Sequence, residues 1–226
     1  MLLRTLLPLI YAAATAGTLV GPAPIRSACK CVLMPLLLVW FRLGCGSGGG
    51  GFTLLVSGAL AFSWLGDVSL LGDGDGAFAA GLGAFLIAQA AYATAFFRQA
   101  RGGLVRQPPA VWVLAAGVIA CGALVGTTVV SRTPPALAVP VAVYATAIMA
   151  MGVGAALRLT GTNLASFATV FLGAEAFIAS DALLAANRFV APLPAARLAV
   201  MTTYCLGQFL IVAGCLRHLR DAGRGG

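Results

Sequence analysis

Long apolar runs alternate along the whole chain with short breaks that are polar or rich in glycine and proline. Eight runs are long enough to cross about 30 Å of hydrocarbon, which takes about 20 helical residues each. Backbone groups in lipid must form hydrogen bonds within their own segment, so each run predicts a membrane-spanning helix. The predicted helices lie near residues 2–20, 26–43, 52–71, 78–97, 110–130, 138–157, 164–186 and 197–217.

This pattern predicts an all-α integral membrane protein folded as an eight-transmembrane-helix bundle. No break is long enough to separate two domains, so we expect one transmembrane domain over 1–217 and a short basic cytoplasmic tail over 218–226. The first run also matches a signal peptide, with Arg4, an apolar stretch and Ala14-Thr15-Ala16. A helix is favoured because the next predicted helix follows almost immediately.

Composition excludes several classes of protein. Hydrophobic residues make up 61% of the chain and charged residues only 9%, with a mean hydropathy of +1.00, whereas soluble domains carry about 25% charged residues. A soluble enzyme and a disordered chain are therefore excluded, and the lipid bilayer is the expected surrounding. The net charge of +8 is spread between apolar runs and forms no basic patch, so we expect no nucleic-acid partner.

The basic residues predict an orientation. With the N-terminus inside, nine basic residues fall in cytoplasmic segments and five fall outside, which favours cytoplasmic termini and, we expect, the plasma membrane. The inner set is Arg4, Arg42, Arg98, Arg101, Arg106, Arg158, Arg217, Arg220 and Arg224, and the outer set is Arg26, Lys30, Arg132, Arg188 and Arg197.

Metal and cofactor chemistry has little support. The six cysteines form no Cys-x-x-Cys pair, and the one histidine, His218, lies in the basic tail. Zinc sites and Ser-His-Asp triads need histidine or clustered thiolates. We therefore predict no metal and no cofactor.

Ionisable and amide side chains inside predicted spans are the candidates for function, because each is costly in lipid unless it has a partner. Helix direction and position along each helix place most of them near one membrane side, with Gln89, Glu175 and Gln208 closer to mid-depth. The candidates include two aspartates, Asp67 and Asp181. The other candidate binding residues are Lys30, Ser63, Gln89, Tyr92, Tyr144, Glu175, Ser180, Tyr204 and Gln208.

Spacing within helices agrees with a shared cavity. Ser63 and Asp67 are four residues apart, as are Tyr204 and Gln208, so each pair shares a helix face. Glu175 either lines the cavity or pairs with Lys30. Structural interpretations stay open for single residues: an aspartate that snorkels to the interface, a tyrosine in the aromatic belt, or a glutamine that joins helices.

Helices 3–4 and 7–8 also resemble each other. Each pair has a helix with Ser and Asp, followed by one with Gln and a nearby Tyr. An internal duplication, with two repeats of four helices each, is one interpretation of this similarity. Gly66 and Gly173 are small enough to allow close approach of neighbouring helices.

Together these motifs resemble the YhhN-like membrane proteins, which include the animal transmembrane protein 86 lysoplasmalogenases. The likeness covers nearly the whole chain. It rests on Lys30 with Met34–Leu37, Ala59–Asp67, Gly81–Gln89 with Tyr92, Val139–Val141 with Tyr144, Gly173–Asp181, and Met201–Tyr204 with Gln208.

The resemblance implies an eight-helix hydrolase that splits the vinyl-ether bond of a lysoplasmalogen, giving a fatty aldehyde and glycerophosphoethanolamine or glycerophosphocholine. It maps the catalytic pair onto Asp67 and Asp181. One position departs from the pattern: Gln89 stands where the family commonly has His. Glutamine cannot transfer protons, so this position either only orients substrate or marks an altered activity.

The chemistry of vinyl-ether hydrolysis also requires two carboxyl groups. A vinyl ether adds a proton to its β-carbon, and water then captures the oxocarbenium ion, so one carboxylic acid and one carboxylate are needed. Basic side chains near the opening would bind the phosphate of the lysophospholipid. The alternative function is a transporter or lipid-binding membrane protein that uses the same cavity without catalysis.

Overall fold

The computed structural model describes residues 2–46, 50–102 and 107–223. These residues form eight α-helices and no β-strand. The helices are α1 (Leu2–Val20), α2 (Ala23–Cys45), α3 (Gly50–Ser69), α4 (Gly74–Phe97), α5 (Pro109–Val130), α6 (Pro135–Leu157), α7 (Leu164–Ala185) and α8 (Ala196–Ala222).

Length and hydropathy together identify these helices as membrane spans. They contain 19 to 27 residues, or roughly 28 to 40 Å at 1.5 Å per residue, against about 30 Å of hydrocarbon. All eight are long and apolar enough to cross a membrane. The predicted all-α, eight-helix membrane protein is therefore confirmed.

Helix ends differ from the sequence expectation by a few residues. Helix α2 begins at Ala23 rather than 26, because Pro24 falls in the first turn, where a missing N–H costs nothing. Helix α8 continues to Ala222 rather than 217, so most of the predicted tail is helical. A π-helical turn, Ala186–Val190, extends α7. Arg106 and Arg224, assigned to cytoplasmic segments, lie outside the described residues.

Contacts between helix ends define one end of the bundle, called here the cavity end. Arg197 at the start of α8 donates hydrogen bonds to the carbonyls of Thr18 and Leu19 at the end of α1. Arg188 after α7 pairs with Asp75 at the start of α4, with 2.6 Å between nitrogen and oxygen. Odd-numbered helices therefore end where even-numbered helices begin.

Small residues bring the central helices close together. A Cβ at Gly173 of α7 would lie 2.8 Å from the backbone nitrogen of Ile211 in α8, and one at Gly66 of α3 would lie 2.5 Å from the Phe85 ring of α4. Both predicted close approaches are confirmed. Helices α3–α4 and α7–α8 each pack together, whereas the internal duplication stays a prediction.

Helix α5 lies at the periphery. It packs mainly on α6 and touches α7 little, and the main apolar core contains residues from the other seven helices but none from α5. Most of its side chains are exposed, which in a membrane span means contact with lipid. This placement leaves a groove beside α7.

Arg158 differs from its expected place in a cytoplasmic loop. It is fully buried at the end opposite the cavity, where Nε donates to Oε1 of Gln99 at 2.5 Å and Nη2 donates to Oγ of Ser166 at 3.1 Å. A buried arginine that joins the segments just after α4 and α6 to the start of α7 is a structural element. The predicted orientation then rests on the remaining basic residues and stays a prediction.

Candidate active site

A polar cavity of about 480 Å³ opens at the cavity end of the bundle. Its walls come from α2, α3, α4, α7 and α8. Helix α4 contributes Gly74, Phe78 and Phe85, whereas each of the other four helices contributes at least one polar side chain. The polar lining residues are Lys30, Asp67, Asp73, Ser180, Asp181, Asn187, Arg188, Arg197 and Tyr204.

Asp67 is held by two partners. It lies two residues before the end of α3 and is 2% exposed. Its Oδ1 lies 3.5 Å from Nζ of Lys30 in α2, and its Oδ2 accepts a hydrogen bond of 2.6 Å from the hydroxyl of Tyr204 in α8. A cation and a hydrogen-bond donor thus stabilise this group as a carboxylate.

Asp181 has a different environment. It lies near the end of α7 and accepts a hydrogen bond on Oδ2 from the hydroxyl of Tyr144 in α6. No cation lies within ion-pair distance of it among the described residues. It lines the polar cavity together with Asp67.

The mouth of the cavity carries two arginines, Arg188 and Arg197. The sequence predicts basic side chains at the opening without identifying which ones. Arg188 stacks over the Phe78 ring at 4.1 Å from its centroid while pairing with Asp75. Arg197 holds the end of α1 through its guanidinium. Their nearness to the predicted helix ends was visible in the sequence, but the π-helical turn that places Arg188 on the cavity side was not.

Four predicted binding residues lie behind the cavity instead of lining it. The hydroxyl of Tyr92 donates to Oε1 of Gln208 at 2.8 Å, and Nε2 of Gln208 donates to Oγ of Ser63 at 3.1 Å. Gln89 is also fully buried, and its amide forms no hydrogen bond with the described residues. The hydrogen bonds of Tyr92, Gln208 and Ser63 connect α4, α8 and α3 beneath the aspartates. Direct contact of these four with substrate stays a prediction.

Two further candidates have clear positions. Ser180 lines the polar cavity and donates its hydroxyl to the carbonyl of Val200 at 3.0 Å, tying α7 to α8. Glu175 is absent from the polar cavity and does not pair with Lys30. It lines a separate apolar groove between α5, α6 and α7, and its Oε1 is buried without a hydrogen-bond partner among the described residues.

The arrangement suits acid–base chemistry at one point in the membrane. Two carboxyl groups with unequal partners share a cavity, as two-carboxylate hydrolysis requires. Basic side chains at the mouth offer the hydrogen bonds that a phosphate accepts. No group of three or more His, Cys, Asp or Glu residues that could hold a metal ion occurs in the described parts of the chain.

Fold and site together define a polytopic membrane protein with two carboxyl groups at one end of its bundle, Asp67 buried and Asp181 partly buried. The model of the YhhN family matches residues 25–215, and the chain belongs to this family. The resemblance seen in its motifs is thereby confirmed.

Relatives with assigned names cover most of the chain. The chain is 34% identical over 188 residues to lysoplasmalogenase TMEM86B of Homo sapiens, an alignment covering 83% of this chain and 74% of the human protein. It is 33% identical over 190 residues to lysoplasmalogenase TMEM86B of Sus scrofa, covering 84% and 75%. Lysoplasmalogenase TMEM86A of Homo sapiens is 33% identical over 207 residues, covering 84% and 78%. No solved structure matches the chain.

Proposed function

We propose that this protein hydrolyses the vinyl-ether bond of lysoplasmalogens. The carrying observation is that Asp67 and Asp181 share one cavity inside the membrane but have unequal partners. The similarity to proteins named lysoplasmalogenase supports the substrate class. The products are a fatty aldehyde and the glycerophospho head group.

The head group lies in the polar cavity. Arg188 and Arg197 at the mouth provide guanidinium donors for the phosphate, and Lys30 lies deeper, beside Asp67. A phosphate bound at the mouth would direct the glycerol oxygen toward the two aspartates.

Unequal partners assign the catalytic roles. Lys30 and Tyr204 stabilise Asp67 as the carboxylate, so Asp67 faces the developing cation and activates water. Asp181 has no cation beside it among the described residues and acts as the acid. The Tyr144 hydroxyl on Oδ2 stabilises the carboxylate that Asp181 becomes after giving up its proton.

The proposed steps return each aspartate to its starting protonation state. Asp181 gives its proton to the β-carbon of the vinyl ether, and an oxocarbenium ion forms at the α-carbon beside the Asp67 carboxylate. Asp67 takes a proton from water as the water oxygen bonds to that carbon, giving a hemiacetal. The hemiacetal hydroxyl returns a proton to Asp181, the carbon–oxygen bond to glycerol breaks, and Asp67 protonates the glycerol oxygen.

The direct test is aldehyde release from lysoplasmenylethanolamine by the purified protein in nanodiscs. In D₂O, proton addition to the β-carbon places one deuterium on the carbon next to the aldehyde. A lysophospholipid with a saturated ether bond at the same position should give no aldehyde. Absence of aldehyde with the wild-type protein would refute the proposal.

Substitution of the aspartates tests their roles. Asp67→Asn and Asp181→Asn should each lower kcat by about 10² to 10⁴, the usual contribution of a general acid or base. Asp221→Asn makes the same chemical change at the opposite end of α8 and should keep wild-type activity. Full activity in either active-site variant would refute the two-aspartate mechanism. Lipid movement across proteoliposomes without hydrolysis would instead favour the transporter alternative.

A further inference from the structure

The apolar groove between α5, α6 and α7 has a volume of about 290 Å³. Along α7 it runs from Glu175 to Ala185, or about 15 Å at the helical rise. Apart from Tyr144, Glu175 and Asp181, its walls are aliphatic, glycine, cysteine or methionine side chains. A long aliphatic chain fits a groove of this shape and composition.

The groove adjoins the polar cavity at Asp181, which lines both spaces. A smaller cavity of about 50 Å³ lies between them. Its walls include Phe78 and Phe85, shared with the polar cavity, and Val141 and Tyr144, shared with the groove. One amphipathic molecule can therefore have its polar part on one side of Asp181 and its apolar part on the other.

The groove also faces the membrane. Helix α6 forms its floor, whereas α5 and α7 barely touch above it. The rim residues Cys121, Val125 and Ala179 are exposed on the surface of the bundle. A lipid chain can thus enter sideways from the bilayer, without leaving apolar surroundings.

We propose that this groove binds the alkenyl chain of the lipid substrate and admits it laterally from the membrane. The inference rests on the proposed function, since it places the chain relative to the reacting bond. The membrane surroundings, the aliphatic walls and the position of the groove beside the polar cavity all point to a lipid chain as the occupant.

This placement has a chemical consequence. In a vinyl ether the β-carbon carries the alkyl chain and the α-carbon carries the oxygen of the head group. With the chain in the groove, the β-carbon lies next to Asp181, and the α-carbon lies toward Asp67. The groove therefore supports Asp181 as the acid independently of the ion pair between Lys30 and Asp67.

Gly122→Leu tests the groove by filling it. Gly122 and Val129 both line the groove, and Gly122 lies about 10 Å further along α5 from the cavity end than Val129 does. A Cβ at Gly122 would lie 2.5 Å from the flexible Met149 side chain. Both the new leucine and the displaced methionine would take groove volume. Gly117→Leu is the matched control, because it makes the same change on α5 where nothing lies within 4 Å.

Activity against two chain lengths gives the readout. Relative to Gly117→Leu, Gly122→Leu should lower kcat/KM by about tenfold or more for a long-chain lysoplasmalogen, because several buried methylenes lose their site. For a short-chain analogue that ends before Gly122, the two variants should agree within about twofold. Equal losses for both chain lengths would overturn the proposal.

Crosslinking separates this inference from the proposed function. A lysophospholipid with a saturated ether chain and a terminal diazirine should label α5–α7 peptides, and excess unlabelled saturated ether lipid should compete this labelling away. Groove labelling without aldehyde release from lysoplasmalogen would refute the function and keep the groove. Aldehyde release with competed labelling elsewhere would refute the groove and keep the function.

Discussion

The polar cavity and the apolar groove meet at Asp181 but are built in opposite ways. Side chains that hold one another form the cavity: Lys30 with Asp67, Tyr204 with Asp67, and Arg188 with Asp75. The groove exists because side chains are small, as at Gly122, Gly126 and Ala182. Paired charged side chains determine the shape of the cavity, whereas the small size of the lining side chains determines the shape of the groove.

This contrast predicts different responses to mutation. Changing a charge in the cavity should alter activity on every substrate that carries the head group, because partners are lost at the reacting end. Changing a volume in the groove should alter only the dependence on chain length. The following substitutions test this separation.

Lys30→Met should have the largest of these effects. It leaves the buried Asp67 carboxylate without its cation, so we expect kcat to fall about hundredfold for long and short chains alike. Stability should fall by about 1–3 kcal/mol, less than for a fully buried pair because Lys30 keeps 16% exposure. Aldehyde release and thermal unfolding in detergent measure the two effects.

Two further variants complete the Lys30 experiment. Lys30→Arg keeps the charge and should recover part of the activity. Lys30→Met combined with Asp67→Asn should recover stability but not activity, because neither charge is left unpaired. Wild-type kcat in Lys30→Met would contradict the role of the ion pair.

Arg188→Gln should have an intermediate effect. Hydrogen bonds to charged groups contribute about 1.5–3 kcal/mol, so loss of one phosphate contact should raise KM about tenfold with little change in kcat. The increase should be the same for both chain lengths. Steady-state kinetics on the two substrates provides the measurement.

The matched variants for Arg188 separate phosphate binding from local structure. Arg132→Gln changes an exposed arginine at the same end of the bundle but outside the cavity, and it should keep the wild-type KM. Asp75→Asn breaks the ion pair but keeps the guanidinium, so its KM should stay the same or fall. A KM that rises equally in Asp75→Asn and Arg188→Gln would contradict phosphate binding by Arg188.

The sequence predicts the cavity better than the groove for a physical reason. Charged side chains inside apolar helices are costly and rare, so Lys30, Asp67 and Asp181 stand out without any structure. Glycine and alanine are frequent at helix contacts in membranes. At Gly173 they allow close packing, whereas at Gly126, where the nearest atom to an added Cβ would be 3.6 Å away, they leave a groove. The sequence pattern is the same for both.

The sequence also predicts how deep a side chain lies in the membrane better than it predicts which neighbouring helix that side chain faces. Counting residues correctly places Ser63 one turn below Asp67, on the same side of α3. It does not show that Ser63 faces Gln208 while Asp67 faces the cavity. That difference depends on how α8 packs against α3, which involves residues far apart in the chain.

Glu175 interrupts the apolar lining of the groove, and its substitution should give the smallest of the predicted effects. Its Oε1 is buried there without a hydrogen-bond partner among the described residues, and an aliphatic chain offers none. Glu175→Leu removes this polar atom from the path of the chain, so kcat/KM for a long-chain lysoplasmalogen should rise about two- to threefold. The short-chain analogue should show no change. A loss of activity on both substrates would instead give Glu175 a part in the chemistry and end the division between a charged cavity and an inert groove.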